Sequence, residues 1–352
     1  MSYPESEPRL REGTALTATL VIRFGALGDL CICSWFLAGL SRRTEVHPLT
    51  LVTKKQFRGL AAEIPGVDHV ATLEASGPGS LLRLACEVRT LRPATVLDAH
   101  AVLRSRLLTL LAGRSAENRL VKDTAARLKL LRHPGAEAPD APRLRRHLLD
   151  RLDDLAEGAP GRSLLTPTVT PPLAHLRPAE SGRKRTVGIA PGARWPTKRW
   201  PDKLFHAAAL ELLEEGVDLK IFLGPGETAW FDHSPLFKLT ANSSVEIIRD
   251  SDLVTVARSL ASCRVTLCND SGLLHLSEAV GTPVVSLFGP TVAAFGYAPL
   301  LPESCLVETD LDCRPCSRTG SRPCHRGDLA CLTGIAPAVV VAHIRKILEV
   351  PL

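Results

Sequence analysis

The segment Cys268–Thr291 combines residues that could hold an anion with a pattern that could present them. Its sequence, CNDSGLLHLSEAVGTPVVSLFGPT, predicts a strand, a tight polar turn, a helix and a second buried strand. A helix that begins at Asp270, Ser271 and Gly272 would direct free backbone N–H groups and a positive dipole end beyond the sheet. His275, one turn into this helix, could reach the same anion. The alternative is an ordinary helix capped by Ser271 or Asp270.

A cysteine cluster near the C-terminus is the second feature with chemical potential. The spacing is Cys313-x2-Cys316-x7-Cys324-x6-Cys331, with His325 beside the third cysteine. Four thiolates in a short loop could hold a structural zinc ion tetrahedrally, although the spacing is not that of a paired zinc ribbon. An unligated or redox-variable loop is the competing interpretation, and an iron–sulfur cluster is a weaker one.

Strand-like and helix-like runs alternate along the chain and would position both features. The pattern predicts strands at 17–24, 49–53, 69–73, 95–99, 186–190, 218–223, 245–248, 265–268 and 283–288. It predicts helices at 30–43, 81–91, 201–215, 251–262 and 336–348. Strands alternating with helices indicate an α/β protein with parallel, doubly wound sheets.

The proline-rich stretch 166–184 divides this pattern into two halves. It predicts an interdomain linker between an N-terminal Rossmann-like domain (15–165) and a C-terminal one (185–335) that includes the cysteine loop, followed by a closing helix (336–352). Two such halves would place a reactive cleft between them, at the carboxyl ends of the strands. The turn Gly25–Asp29 lacks the spacing of a dinucleotide-binding fingerprint, so hydride transfer is unsupported.

Composition restricts the class of protein and its surroundings. The 352 residues are 45% hydrophobic and 23% charged, which fits a globular protein of two domains. A net charge of +6 suits an acidic substrate, an anionic membrane surface or nucleic acid. The N-terminal segment shows no signal peptide, so we expect a cytoplasmic location.

Five segments in order carry a resemblance to a known family. They are VIRFGALGDL (21–30), LDAHAVLRS (97–105), IAPGARWPTKRWPDKLF (189–205), LGPGE (223–227) and the segment from Cys268 to Thr291. Together they resemble glycosyltransferase family 9, the ADP-heptose:lipopolysaccharide heptosyltransferases. The resemblance implies a GT-B fold and an inverting, metal-independent transfer of heptose from ADP-heptose to an anionic lipopolysaccharide inner-core acceptor, with no cofactor required.

The resemblance also assigns roles on the donor side. Asp29 would be the catalytic base that takes the acceptor hydroxyl's proton, although an aspartate there also suits the N-cap of a helix. Glu227 would contact the adenosine ribose, or else it only begins a helix. Lys198 would contact the diphosphate, and Ser271, Gly272 and His275 would supply the anion site at the helix terminus. Asp270 would orient the donor sugar or only cap the helix. Arg194 and Thr197 join the donor site by their proximity to Lys198 alone. A solvated basic loop is the alternative for Lys198.

On the acceptor side, the resemblance points to the loop after the fourth strand. Its residues Asp98, His100, Arg104 and Ser105 would contact the acceptor. The arginine-rich stretch that follows suits an anionic acceptor, and it suggests peripheral contact with the cytoplasmic face of the inner membrane.

Two other functions compete with this one. The same fold could use another nucleotide sugar or a different glycan acceptor. A basic nucleic-acid-binding or regulatory protein is the alternative from another class. Only 4% of the chain is aromatic, so surfaces for stacking bases are scarce and no nucleic-acid partner is expected.

Overall fold

The computed structural model describes residues 18–132, 146–157, 170–178 and 185–350, and these residues form two parallel β-sheets. The strands are β1 (Thr19–Ile22), β2 (Leu49–Lys54), β3 (His69–Leu73), β4 (Thr95–Asp98), β5 (Asn118–Arg119), β6 (Thr186–Ala190), β7 (Asp218–Phe222), β8 (Val245–Ile248), β9 (Val265–Asn269), β10 (Val284–Phe288) and β11 (Cys305–Glu308). The first sheet has the order β3-β2-β1-β4-β5, and the second has the order β11-β10-β9-β6-β7-β8.

Helices connect successive strands and cover the sheets. They are α1 (Leu27–Leu40), α2 (Arg58–Ala62), α3 (Pro78–Leu91), α4 (Leu103–Leu111), α5 (Thr124–Arg132), α6 (Leu148–Glu157), α7 (Asp202–Glu214), α8 (Thr228–Phe231), α9 (Leu253–Ala261), α10 (Gly272–Ala279), α11 (Ala330–Thr333) and α12 (Pro337–Glu349). Because every described strand pair is parallel, each connection crosses over the sheet, as alternation of strands and helices requires.

All nine predicted strands are present, as are the five helices predicted by range and the helix predicted within Cys268–Thr291, with boundaries that shift by up to three residues. The largest shifts are in α1, which begins at Leu27 instead of Leu30, and in α3, which begins at Pro78 instead of Leu81. Two strands were not predicted. The strand β5 has only two polar residues, and β11 is a short strand at the edge of its sheet.

The two halves meet where α1 packs against α10. A Cβ atom at Gly28 would lie 2.6 Å from the His275 ring, and one at Gly272 would lie 3.0 Å from the Leu27 Cβ. Glycine at both positions therefore lets the first turns of the two helices approach closely. This contact places both helix N-termini at one cleft between the sheets.

The expected linker lies partly outside the described residues. Its described part, 170–178, packs on the second half: Leu173 is buried and its N–H donates to the Ala279 carbonyl at 2.8 Å. Arg177 donates to the Val280 carbonyl beside it. Among the described helices, none combines the length and apolar character needed to cross a membrane.

Candidate functional site

Asp29 lies in the first turn of α1, where the chain leaves the central strand of the first sheet. Its Oδ2 accepts the Ala26 N–H at 2.9 Å, and its Oδ1 lies 2.7 Å from the Arg23 guanidinium. The Tyr297 hydroxyl, from the other half of the chain, donates to the same Oδ1 at 3.2 Å. Asp29 therefore caps the helix from its third residue and also faces the cleft, so the capping contact does not exclude the base role predicted for it.

Opposing effects act on the Asp29 carboxyl. Burial raises its pKa, but the Arg23 guanidinium and the Ala26 N–H lower it by more, so that the net pKa lies below the ordinary value. The carboxylate is therefore ionised at neutral pH and can accept a proton. The pKa of the Tyr297 hydroxyl shifts upward, because burial and the nearby Asp29 charge both raise it. The hydroxyl therefore stays protonated and remains a hydrogen-bond donor.

A pocket of about 290 Å³ opens on the donor side of Asp29. Six predicted donor residues line it, namely Arg194, Lys198, Asp270, Ser271, Gly272 and His275. The Lys198 ammonium lies 2.5 Å from the Asp270 carboxylate, which also accepts the Thr291 hydroxyl at 2.6 Å. Asp270 thus orients the lysine and does not cap α10.

The N-terminus of α10 forms the wall of this pocket. Ser271 occupies the N-cap position, but its side chain makes no capping bond. Within the described chain, Ser271 Oγ and His275 Nδ1 are buried with no hydrogen-bond partner. Burial lowers the pKa of His275 to about 4, so its ring is neutral. Two orphaned polar atoms beside a helix N-terminus fit an anionic ligand.

Two predicted donor residues lie elsewhere. The Thr197 hydroxyl donates to the Gly320 carbonyl and does not line the pocket. Glu227 follows β7, where its Oε2 accepts the Gly224 N–H at 2.8 Å. A Cβ at Gly192, after the neighbouring strand, would lie 2.0 Å from the Glu227 carboxylate, so this glycine leaves room for it. Glu227 therefore stands at the carboxyl edge of the sheet, consistent with the ribose role predicted for it.

A second pocket, of about 300 Å³, is also lined by Asp29. Both pockets are lined by Asp29, Arg127, Tyr297, Arg318 and Thr319. The two pockets therefore adjoin each other, and Asp29 is exposed to both.

The predicted acceptor residues divide into two groups. His100 lines the second pocket, and burial together with Arg23 lowers its pKa to about 4. Asp98 and Ser105 are fully buried and bond to each other at 2.8 Å, and Asp98 also accepts the His100 N–H. In this structure the contacts of Asp98 and Ser105 hold the loop that carries His100, and contact of these two residues with the acceptor stays a prediction. Arg104 is half-buried and lines neither pocket.

The cysteine loop borders the cleft through its middle residues. Its base is fixed by Arg314, which bonds to the Gly289 carbonyl at 2.6 Å and to Glu308. Gly320 packs directly against the Lys198 side chain, and Arg318 and Thr319 reach both pockets. Within the described residues, no group of three or more Cys, His, Asp or Glu side chains is arranged to hold a metal ion. The zinc site predicted at Cys313, Cys316, Cys324 and Cys331 is therefore not shown, although these four cysteines lie near enough to affect one another's charge.

Sequence reasoning did not identify Arg23 and Tyr297 as site residues. A charged residue within the apolar run Val21–Phe24 was a usable signal, because a buried arginine needs a partner. Tyr297 lies 268 positions from Asp29 and belongs to no motif, so only the fold brings them together.

Comparison with known proteins identifies the family to which the chain is similar. Residues 83–324 match the model of glycosyltransferase family 9 (heptosyltransferase). The chain is 27% identical over 319 residues to lipopolysaccharide heptosyltransferase 1 of Pseudomonas aeruginosa, an alignment covering 84% of this chain and 85% of that protein. It is 29% identical over 123 residues to lipopolysaccharide heptosyltransferase 2 of Escherichia coli K12, and it spans about a third of that relative's length.

A solved structure shares the whole architecture. The structure of E. coli ADP-heptose lipopolysaccharide heptosyltransferase II superposes with a TM-score of 0.69 at 21% identity, covering 94% of this chain and 98% of the other. This similarity confirms the expected GT-B fold of two Rossmann-like domains that face a central cleft.

Proposed function

Because this chain belongs to glycosyltransferase family 9, we propose that it transfers heptose from ADP-heptose to an anionic lipopolysaccharide core acceptor with inversion at the sugar carbon. The observation that carries the proposal is that Asp29 lines both pockets of the cleft. In-line displacement requires a base on the face opposite the leaving diphosphate, and a carboxylate that lines both pockets can serve an acceptor hydroxyl in one pocket while the donor sugar lies in the other.

The proposed reaction balances without a metal ion. An acceptor hydroxyl gives its proton to the Asp29 carboxylate while its oxygen bonds to the anomeric carbon of the heptose. The bond from that carbon to the diphosphate oxygen breaks, and ADP leaves with the electron pair. Lys198, Arg194 and the N–H groups that begin α10 neutralise the developing charge.

The residues around Asp29 fix the orientation of its carboxylate. Arg23 and Tyr297 hold one oxygen and the Ala26 N–H holds the other, so the carboxylate cannot rotate freely. Asp98 and Ser105 act through the loop that presents His100, and they touch no substrate in this account. Glu227 would bind the ribose at the far end of the donor site.

Product formation that depends on both substrates tests the proposal. Purified protein is supplied with ADP-heptose and heptose-deficient lipopolysaccharide, and both ADP release and the mass of the acceptor are measured. We expect ADP release only when the acceptor is present, with inhibition by ADP but not by UDP or GDP. Turnover with a UDP- or GDP-sugar instead would favour the alternative donor, and neither turnover nor ADP binding would refute the assignment.

Lys198→Met checks the donor side of the same assay. Removing the ammonium that faces the diphosphate should raise the KM for ADP-heptose by about tenfold or more, since charge-assisted contacts to phosphate are among the stronger ones. Lys220→Met is the matched control, because Lys220 pairs with Glu246 on the second sheet and lines neither cleft pocket. An unchanged donor KM in Lys198→Met would remove this residue from the site.

Peripheral contact with the membrane is a further part of the proposal. Helix α4 exposes Leu103 by 83% and Leu110 by 73%, with Arg106 exposed on the same helix. Leucines beside arginines suit the surface of an anionic bilayer, which would bring the cleft to a lipid-anchored acceptor. We expect co-sedimentation with anionic vesicles to be lost in the double variant Leu103→Ser/Leu110→Ser.

The control for this surface is Leu210→Ser, which removes an exposed leucine from α7 in the other half. It should bind anionic vesicles like the wild type. Equal binding by the α4 double variant, or equal binding to vesicles of uncharged lipids, would refute the role of this surface.

A structural zinc ion in the cysteine loop stays a prediction, which metal analysis can test. The described arrangement of the loop gives no ligand geometry, and the proposed reaction uses no metal. Elemental analysis of the purified protein for zinc and iron, with a Cys313→Ser/Cys316→Ser variant beside it, tests the loop directly. One equivalent of zinc that is lost in the variant would support the prediction, and a metal-free active protein would refute it.

A further inference from the structure

The cysteine loop, residues 313–331, borders both pockets of the cleft, but not through its sulfur atoms. Arg318 and Thr319 from this loop line the two pockets. None of its four cysteines is among the described residues that line either pocket. What the loop brings to the cleft is therefore the short turn between Cys316 and Cys324, and the contacts of this turn indicate its role.

The base of this turn is tied to the wall of the donor-side pocket. The Cys316 N–H donates to the Pro290 carbonyl at 3.2 Å, and the buried Arg314 donates to the Thr291 carbonyl at 3.0 Å. Thr291 lines the pocket, and its hydroxyl donates to the Asp270 carboxylate. The segment that anchors the loop therefore also holds one of the charged groups of the donor site.

The tip of the turn lies directly on the Lys198 side chain. Gly320 has a φ of 85°, and its N–H donates to the buried Ser317 hydroxyl at 2.9 Å. Its carbonyl accepts a hydrogen bond from the Thr197 hydroxyl. A Cβ atom at Gly320 would lie 2.5 Å from Lys198 Cγ and 2.6 Å from its Cδ, so only glycine lets the backbone cover the lysine stem.

These contacts fix a side chain that is ordinarily flexible. The Lys198 side chain is only 14% exposed, because the turn covers its stem, and its ammonium lies 2.5 Å from the Asp270 carboxylate. A lysine on a mobile stem loses rotamer freedom when it binds an anion. Here that freedom is already lost in the folded protein, and a cation that is ordered in advance binds its ligand more tightly.

We propose that the cysteine loop positions the donor-site lysine, with Gly320 and Thr197 acting through Lys198 to hold its ammonium toward the donor diphosphate. Gly320 and Thr197 touch no substrate in this account and are positioning residues. The inference rests on the proposed function for the identity of the donor, and it deepens that function by giving the cysteine loop a role in donor binding. This role does not depend on a metal ion in the loop.

Gly320→Ala and Gly327→Ala form a matched pair that tests the contact. Both glycines belong to the cysteine loop and have positive φ values, 85° and 77°, so alanine causes backbone strain at both positions. Only the methyl group at position 320 would meet Lys198, since nothing lies within 4 Å of one at Gly327. We expect the KM for ADP-heptose to rise by about tenfold in Gly320→Ala and to change by less than about twofold in Gly327→Ala. The acceptor KM should not change in either variant.

Thr197→Val tests the same contact without adding backbone strain. It removes the hydroxyl that donates to the Gly320 carbonyl and keeps the approximate shape of the side chain. We expect the donor KM to rise by about threefold or more, because the turn loses this hydrogen bond, and Thr197→Ser should restore the wild-type value. A defect of equal size in Thr197→Ser would contradict a role for the hydroxyl.

A double-mutant cycle separates positioning from a general effect on the fold. Lys198→Ala removes the stem that the added methyl group would meet. Gly320→Ala should therefore cause no further loss of ADP affinity in the Lys198→Ala background. A loss of about tenfold in both backgrounds would mean that Gly320 does not act through Lys198, and it would overturn the inference.

Calorimetric titration of ADP into the full-length protein keeps the inference separate from the proposed reaction. Weaker ADP binding in Gly320→Ala, with Gly327→Ala like the wild type, supports the role of the loop whichever sugar is transferred. Equal ADP affinity in the wild type and Gly320→Ala would overturn that role. Absent heptosyl transfer with intact ADP binding would overturn only the proposed reaction.

Discussion

At the scale of single residues, the site depends on holding one carboxylate ionised in a partly buried cleft. Burial alone would favour the protonated form of Asp29, and the adjacent Arg23 reverses that preference. An isolated aspartate in this turn could be assigned either as a cap or as a base. The contacts from Arg23 and Tyr297 show that the oxygen not used for capping, Oδ1, faces the cleft.

The histidines of the site lead to a prediction about pH. Burial lowers the pKa values of both His100 and His275 to about 4, and that of Asp29 also lies below its ordinary value. All three groups should therefore keep one ionisation state from about pH 5.5 to pH 8. We expect kcat to vary by less than about twofold across this range. A pH–rate profile with a midpoint near 6.5 would contradict the assignment of neutral histidines.

At the scale of elements, the contact between α1 and α10 joins the base to the anion site. The first turn of α1 carries Asp29, and the first turn of α10 carries Ser271 and His275 beside it. Their approach depends on Gly28 and Gly272, because neither position has space for a side chain. The packing of the two helices therefore holds Asp29 next to Ser271 and His275.

Gly28→Ala tests this contact. The added methyl group would lie 2.6 Å from the buried His275 ring, so the ring or the helix must move. We expect kcat/KM to fall by about tenfold or more, since small displacements of reacting groups are costly. Gly79→Ala is the control, because nothing lies within 4 Å of a methyl group there. Equal activity of the two variants would show that the close contact is dispensable.

Hydrogen bonds to a buried carboxylate on α10 hold the segment after β10 in place. Glu278, buried on α10, accepts the Leu300 and Leu301 N–H groups and the Ser304 hydroxyl, each at 2.8 Å. Burial raises its pKa to about 7, although these hydrogen bonds oppose the shift. A raised pKa means that the folded protein binds a proton more tightly than the unfolded chain does. The associated stability is complete below about pH 4.5 and is lost as pH rises towards 7.

Glu278→Gln should remove this dependence because the amide does not titrate. The free energy of unfolding of the wild type, relative to the variant, should fall by on the order of 1–3 kcal/mol between about pH 5 and pH 7.5. Urea unfolding at a series of pH values gives this difference. Parallel curves for the two proteins would mean that Glu278 is already ionised in the folded state.

At the scale of the whole molecule, periodicity and turn chemistry were sufficient to predict the two sheets and the cleft. The run Val265–Phe288 specified its strands, turn and helix because apolar runs and Gly281, with a φ of 76°, punctuate it. The two-residue strand β5 has no such pattern. Long-range partners such as Tyr297 were not predictable, because the contact with Asp29 arises only when the folded halves bring distant segments to one pocket.

Long-range contacts also explain why some predicted site residues do not line the two cleft pockets. Asp98 ends an apolar strand, as a substrate-binding residue at a sheet edge would, but its carboxylate is buried and accepts a hydrogen bond from the Ser105 hydroxyl. Thr197 lies next to Lys198 in sequence, yet its hydroxyl donates a hydrogen bond to the Gly320 carbonyl in the cysteine loop. Proximity along the chain located the right loops and did not determine which side chain in each loop enters the cleft.

The most direct test of the account compares Asp29→Asn with the wild type under single-turnover conditions, with ADP affinity measured on the same samples. The amide keeps the size of the side chain but cannot accept the acceptor's proton. We predict that heptosyl transfer slows by about 10²- to 10⁴-fold while the Kd for ADP changes by less than about threefold. If the variant transferred heptose at more than about a tenth of the wild-type rate with ADP binding intact, Asp29 would not be the base.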